Sequence, residues 1–334
     1  MVIGHSGCPL QLHNYIYMFH MPLFFFCSGY FFKPTTSIDK IKIFTLKKIK
    51  GLYIPYIKWG LLFLLFHNIF YHINIYNDLY GFKGKVSHLY TSCDFIKNFL
   101  NTTLTMRTTE QLLGGFWFIR ILFLSSIILC LSFFFIHKFK LNKNTFAIIL
   151  LCILIVSKIF NFSIPIIGNI SLILYGILFM YAGYLYKQIE QPKFYRFRLF
   201  LLLTICVSIG SYTNYANMLN YEYSDIISYT GFAVFGIISV ICISKILEKS
   251  KIAGILIYIG DNTIVILSLH FLSFKLISLT KILLFNLPIE RLADFPVILE
   301  HNQFFWVIYS IIGIYMPILL VKLYDKYYKI KTFK

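Results

Sequence analysis

The segment at residues 15–34 reads YIYMFHMPLFFFCSGYFFKP, and its nearly unbroken apolar run is typical of a membrane helix. The run nevertheless contains His20, Pro22, Ser28 and Gly29. A proline inside a helix removes a backbone hydrogen bond and kinks the helix, whereas serine and glycine permit close approach of a neighbouring helix. A histidine at membrane depth usually faces protein, water or substrate. We therefore expect a kinked helix in which His20 either packs against a backbone carbonyl or lines a site.

The composition of the whole chain is that of a polytopic membrane protein. Of its 334 residues, 58% are hydrophobic and only 13% are charged, whereas soluble globular chains carry about 25% charged residues. Long apolar blocks recur from end to end, and the longest polar connection, at 76–113, is the size of a loop. We expect an all-α transmembrane helix bundle that forms a single domain over residues 1–334. The nine candidate full spans are 15–32, 52–74, 114–137, 145–160, 170–186, 199–212, 226–246, 255–284 and 304–321.

The positions of the basic residues predict how the spans are oriented. The connections alternate strictly between a set that holds 21 of the 31 lysines and arginines and a set that holds 6. By the positive-inside rule the richer set is cytoplasmic, which places the C-terminus inside. We therefore attribute the net charge of +18 to the orientation of the protein in the membrane. We expect membrane lipids as a partner of the basic residues and do not expect nucleic acid. The richer connections are 33–50, 138–144, 187–198, 245–251 and 322–334, and the poorer ones are 76–113, 158–168, 212–225 and 285–303.

The motif FHMPLFFFCSGYFF at 19–32 resembles the second-span signature of the acyltransferase-3 family of integral membrane acyltransferases. The resemblance is greatest to the branch of fucose 4-O-acetylase-like and other polysaccharide O-acetyltransferases. Weaker similarity at WF, residues 117–118, and at YIGDNTIVILSLHFL, residues 258–272, extends it over almost the whole chain. The resemblance implies an enzyme of the cell membrane that moves an acyl group, most often acetyl, from cytoplasmic acyl-CoA to a hydroxyl. The acceptor would be a cell-surface glycan or a lipid-linked sugar. Acyl-CoA would be a co-substrate, and no cofactor would be permanently bound.

His5, in VIGHSGCP at residues 2–9, matches the family's essential histidine at the end of its first span. The resemblance implies that His5 is a general base, which takes the proton from the acceptor hydroxyl. A span needs about 20 residues, but only MVIGH is present here, without the arginine that the family carries upstream. We therefore expect the end of a truncated first span, so that either the true start lies upstream or the product is an inactive truncated acyltransferase.

The segment at 40–58 begins as a basic helix on the predicted cytoplasmic side and runs into a span. The resemblance implies that Lys47, Lys48 and Lys50 hold the phosphates of the acyl-CoA donor. Lysine binds phosphate as a point charge. Basic residues also flank the cytoplasmic ends of spans in most membrane proteins, so the charges by themselves do not decide between the two roles.

Further residues are candidates for substrate binding or for lining the site, namely His20, Trp117, Arg120 and His270. Trp117 also suits an interfacial aromatic belt. Arg120, inside a span, needs a partner, a polar cavity or a path to the interface. Residues 261–263 (DNT) are typical of a helix start, and the chain gives no role for two more lysines in the same span, Lys275 and Lys281.

No metal site is expected, since the seven cysteines are scattered and no metal-binding motif appears. The alternative function from a different class is a transporter or flippase of a polysaccharide precursor. It would share the number of spans and the few buried charges, but such transporters often consist of repeated halves with broken helices. No internal repeat is visible in the sequence.

Overall fold

Helices account for 75% of the chain. An apolar chain in a membrane needs them, because a helix satisfies its own backbone hydrogen bonds within one segment. A computed structural model describes residues 1–35, 37–82, 85–140, 142–165, 167–189, 197–222 and 224–332. The other residues lie between predicted spans or, for residues 333–334, after the last one, and these parts of the chain lie outside the described residues.

Helices follow one another along the chain with short irregular connections and two hairpins. The first half contains α1 (Val2–His5), α2 (Leu10–Tyr17), α3 (His20–Tyr30), α4 (Ile38–Lys48), a π-helix (Ile49–Tyr53), α5 (Ile54–His72), the hairpin of β1 (Gly81–Phe82) and β2 (Lys85–Val86), α6 (Ser92–Thr105), a 3-10 helix (Gln111–Leu113), α7 (Trp117–Lys138) and α8 (Lys143–Ile159). The second half contains the hairpin of β3 (Ser163–Ile164) and β4 (Gly168–Asn169), α9 (Ile170–Gln188), α10 (Phe197–Thr213), α11 (Asp225–Leu247), α12 (Ala253–Asp261), α13 (Thr263–Phe285), a 3-10 helix (Ile289–Ala293) and α14 (Phe305–Thr332).

Six helices in the described part of the chain are long and apolar enough to cross a membrane. The chain is therefore an all-α, multi-pass membrane protein, and the count of nine spans stays a prediction. The predicted spans 145–160 and 199–212 correspond to the shorter apolar helices Thr145–Ile159 and Phe197–Thr213. The six long helices are Ile38–His72, Trp117–Lys138, Ile170–Gln188, Asp225–Leu247, Thr263–Phe285 and Phe305–Tyr327.

Contacts between residues divide the chain into two compact units. The first unit comprises residues 1–9, 55–117 and 252–334, and the second unit comprises residues 10–54 and 118–251. Each unit is assembled from segments that are distant in the sequence. The prediction of one domain over residues 1–334 stays a prediction.

The predicted kinked helix at 15–32 is in fact two helices, so this expectation was wrong in its details. Helix α2 ends at Tyr17 and α3 begins at His20, because Phe19 leaves the helical conformation with φ −141° and ψ −16°. Pro22 is then the third residue of α3, where its missing N–H costs no helical hydrogen bond. The proline therefore lies in the first turn of a helix instead of kinking one.

The second unit depends on a close crossing of α3 and α9. A Cβ atom on Gly29 of α3 would collide with the backbone carbonyl of Met180, and a Cβ atom on Gly183 of α9 would collide with the carbonyl of Phe26. Both obstacles are backbone atoms, which cannot rotate away as a side chain does. The expectation that a glycine in the motif permits close helix approach is confirmed for Gly29.

In the first unit, the polar connection 76–113 contains a helix that we did not predict. Helix α6 begins with a capping box, in which the side chain of Thr91 accepts a hydrogen bond from the N–H of Asp94 and Asp94 accepts one from the N–H of Thr91. These hydrogen bonds from Thr91 lower the pKa of Asp94 below its ordinary value. The spacing T-x-x-D at 91–94 is visible in the sequence and could have predicted this start.

A buried contact between His67 and Glu110 holds the same connection against α5. His67 Nδ1 lies 3.0 Å from a carboxyl oxygen of Glu110, and His67 Nε2 donates to the carbonyl of His88 at 3.0 Å. The two contacts fix the orientation of the ring between Glu110 and the backbone of residue 88. Tyr90 stacks on the ring at a centroid distance of 3.4 Å, and burial beside Glu110 raises the pKa of Tyr90 to about 12.

We expect the change Gly29→Ala to impair folding. The added methyl group has to displace the backbone of α9, and overpacking of this kind costs about 1–3 kcal/mol or more. The melting temperature and the monodisperse fraction of detergent-extracted protein measure the effect.

Gly231→Ala in α11 is the matched control, because a Cβ atom on Gly231 meets no atom within 4 Å. Equal melting temperatures of the two variants would contradict the close crossing of α3 and α9.

Candidate functional site

His5 is the last residue of α1 and belongs to the first unit. It is partly buried, and its ring lies 5.0 Å from the ring of Phe271 and 5.6 Å from the ring of His270, measured between centroids. Helix α1 contacts α14, where Val2 lies against Gly313. The structure thus brings together two of the predicted site residues, which are 265 positions apart in the sequence.

His270 in α13 is completely buried, and its two nitrogens differ in their surroundings. Nδ1 lies 3.0 Å from the carbonyl oxygens of both Ile266 and Leu267, whereas Nε2 has no hydrogen-bond partner. Carbonyl oxygens only accept, so Nδ1 carries the proton and donates it. Nε2 is therefore a bare acceptor nitrogen in a buried position beside His5.

Two lysines of α13, Lys275 and Lys281, have no role that the sequence predicts. Lys275 and Lys281 are 4% and 0% exposed. The Lys275 ammonium donates to the carbonyl of Asp294 at 2.7 Å, and the Lys281 ammonium donates to the carbonyl of Ile298 at 2.8 Å. Both partners belong to the chain between α13 and α14, residues 286–304, which we call the 286–304 segment. A lysine inside a span is a signal for a functional or structural site, and this signal was present in the sequence.

The 286–304 segment also contacts the turn that follows His5. Asn302 Nδ2 donates to the carbonyl of Gly7 at 2.8 Å, while Asn302 Oδ1 lies 3.5 Å from the Lys281 ammonium. Gly7 has φ +72°, a left-handed conformation that favours glycine. Phe295, from the same segment, packs on Phe271 at a centroid distance of 4.6 Å. The surroundings of His5 are therefore built from α1, α13 and this segment.

A family model described as "Acyltransferase domain" matches residues 1–329. The chain belongs to the acyltransferase-3 family. The resemblance seen in the motif at 19–32 is thereby confirmed at the level of the family. No curated protein and no solved structure matches the chain.

The three lysines predicted to hold the donor phosphates of this acyltransferase lie where the helix type changes, in the second unit. Helix α4 ends at Lys48, and the π-helix begins at the next residue. Lys47 and Lys50 are exposed, whereas Lys48 is partly buried and donates from its ammonium to Ser28 Oγ at 3.4 Å. This contact connects the basic helix to α3, which carries the family motif. Local π-helical geometry is frequent at functional sites.

His20 and Arg120 also lie in the second unit of the acyltransferase, and both have backbone partners. His20 Nδ1 lies 2.9 Å from the carbonyl of Ile16, and the ring packs edge-on against Tyr17. Arg120 donates from Nη2 to the carbonyl of Ile167 at 2.7 Å. His20 is thus close to a backbone carbonyl oxygen, which is one of the two surroundings that the sequence allowed. Arg120 has the partner that an arginine inside a span requires.

Trp117 is the first residue of α7 and belongs to the first unit, where it is partly buried. In the same unit a cavity of about 470 Å³ opens beside Lys275. Its walls are mainly aliphatic and include Ile73, Leu269 and Met316. Within the described ranges, no group of three His, Cys, Asp or Glu side chains is placed to hold a metal ion, and the expectation of no metal stays a prediction.

We expect the change Lys281→Met to release the 286–304 segment. It removes the donor to the carbonyl of Ile298, and a buried polar group without its partner costs about 1–3 kcal/mol. Hydrogen–deuterium exchange of the protein in detergent should show faster exchange of residues 286–304.

Lys326→Met is the control, because Lys326 is exposed on α14 and should leave exchange in the segment unchanged. Wild-type exchange rates in Lys281→Met would show that the ammonium does not hold the segment.

Proposed function

We propose that this acyltransferase transfers an acetyl group from cytoplasmic acetyl-CoA to a hydroxyl of a cell-surface glycan or lipid-linked sugar. The proposal places the chain in the branch of fucose 4-O-acetylase-like and polysaccharide O-acetyltransferases. The observation that supports it most is the position of His5, a partly buried imidazole packed against a second imidazole, His270, at 5.6 Å. Imidazole is the side chain best suited to take a proton near neutral pH.

The proposed reaction is a direct attack on the thioester. A nitrogen of His5 takes the proton from the acceptor hydroxyl as the hydroxyl oxygen forms a bond to the acetyl carbonyl carbon. The carbon–sulfur bond then breaks, and the CoA thiolate leaves and takes the proton from His5. The products are the acetyl ester and CoA with a free thiol, and the imidazole returns to its neutral form.

The donor would enter from the side that carries most of the lysines and arginines. Lys47 and Lys50 are exposed and can contact the phosphates of CoA. Lys48 donates a hydrogen bond to Ser28 of α3, the helix that contains most of the family motif. The distribution of 21 against 6 basic residues favours a cytoplasmic position for this side and for the C-terminus. The protein would then lie in the cell membrane, with His20, Trp117 and Arg120 as further candidates for contacts with the substrate.

Removal of the base should abolish acyl transfer. We expect His5→Ala and His5→Gln to lower the rate by about 100-fold or more, which is the typical contribution of a general base. The measurement is transfer of labelled acetyl from acetyl-CoA, with CoA thiol release, by membranes that contain the protein.

His88→Ala is the matched control, because the side chain of His88 is 66% exposed and only its backbone carbonyl contacts His67. Full activity of correctly folded His5→Ala would overturn the role of His5. Movement of a lipid-linked sugar across vesicles without CoA release would support a transporter or flippase instead.

A second prediction concerns the phosphates of the donor. We expect the double change Lys47→Gln with Lys50→Gln to raise KM for acetyl-CoA while it leaves turnover of acetyl-pantetheine, which has no phosphates, unchanged. Added salt should weaken the difference between wild type and variant, because exposed charges are screened.

Lys58→Gln, in the same continuous helix, is the control for loss of a lysine. If the double variant lost activity equally with acetyl-CoA and with acetyl-pantetheine, Lys47 and Lys50 would not bind the phosphates.

A further inference from the structure

A buried polar atom without a partner is rare and calls for an explanation. In the part of the chain that the structure describes, the histidine nitrogen in this situation is Nε2 of His270. Leaving such a group unpaired destabilises the folded state. An aromatic or aliphatic side chain at this position, among Phe271 and Phe274, would avoid that cost. The retained imidazole therefore suggests a use for the free nitrogen.

The tautomer of His270 is set by the helix that carries it. Nδ1 faces the carbonyl oxygens of Ile266 and Leu267 and keeps its proton, so Nε2 can only accept. The other imidazole near it is that of His5, at 5.6 Å between centroids with the ring planes 32° apart. Since the structure contains no direct hydrogen bond to Nε2 and nitrogens lie at the rim of the ring, two rings at this distance can connect through one bridging water.

We infer that His270 is a positioning residue for His5, in which an N–H of His5 reaches Nε2 of His270 through one bridging water. This inference rests on the proposed function, in which His5 is the base. Holding one N–H of His5 leaves the other nitrogen as the lone pair that takes the proton from the acceptor hydroxyl. The same contact stabilises the imidazolium that forms as the proton arrives.

The N-terminal amine of Met1 is close enough to His270 for their charges to interact, whereas the charged side chains near this pair have other partners. On α13, Lys275 and Lys281 donate to carbonyl oxygens of the 286–304 segment. Within that segment, Arg291 pairs with Asp294 and Glu300. In the described part of the first unit, the hydrogen bonds of His270 go to backbone carbonyl oxygens and not to a carboxylate.

The test compares His270→Phe with His270→Gln. Phenylalanine fills the apolar surroundings and removes the unpaired nitrogen, so the melting temperature of His270→Phe should equal or exceed that of wild type. Its kcat should fall by about 10- to 100-fold, because the base is no longer oriented, while KM for acetyl-CoA stays unchanged. Glutamine restores an acceptor oxygen and should recover part of kcat.

Two further readouts separate positioning from a structural role. The acid limb of the pH profile of kcat should move to lower pH in His270→Phe, because the imidazolium of His5 loses a stabilising acceptor. In ¹⁵N-labelled protein, the side-chain nitrogen signals of His5 should change in His270→Phe, a measurement that needs no substrate. The double change His5→Ala with His270→Phe should be no less active than His5→Ala alone.

The possible failures are distinguishable. If His5→Ala remains active, the proposed function fails together with this inference. If His5→Ala is inactive but His270→Phe keeps the wild-type kcat, pH profile and His5 signals, only the positioning role of His270 is overturned. A His270→Phe variant with a lowered melting temperature and an unchanged pH profile would show that His270 is only a packing residue.

Discussion

Polar groups buried in an apolar environment need partners, and this requirement organises the first unit. Two ammonium groups on α13, those of Lys275 and Lys281, donate to backbone carbonyl oxygens of the 286–304 segment. Without these acceptors, burial of the two lysines inside a span would cost free energy. Without the lysines, carbonyl groups of the irregular segment would lack hydrogen-bond partners. Each satisfies the other, and together they hold the segment beside the turn that follows His5.

Among the described residues, the buried side-chain atoms without a hydrogen-bond partner are the hydroxyls of Tyr221 and Tyr229 and Nε2 of His270, and only that of His270 lies beside His5. Backbone carbonyl oxygens provide partners for His20, Arg120 and both lysines of α13, whereas Nε2 of His270 has none. Polar residues that are fully paired stabilise the helices that carry them. The unpaired nitrogen of His270 next to His5 is the observation behind the positioning role that we infer for His270.

Much of the architecture was predictable from local sequence. Apolar runs predicted the membrane class, and the basic segment at 40–58 predicted a helix that runs into a span, as Ile38–His72 does. Residues 261–263 predicted the start of α13, which begins at Thr263 after α12. Helix α6 was missed although its capping box at 91–94 was readable. The division of 15–32 into α2 and α3 was not readable, because a proline in an apolar run is equally compatible with a kink and with a helix start.

The sequence alone therefore determined the membrane class and the family, since both depend on composition and on motifs within short stretches. Only the tertiary structure decided which residues meet. His5 and His270 lie 265 positions apart in the sequence but have neighbouring rings, and Lys48 reaches Ser28 of a different helix. The partner of Lys281 is a backbone carbonyl, which every residue carries and which no sequence pattern can single out. Contacts of this kind depend on distances between chain segments, and those distances are set by packing.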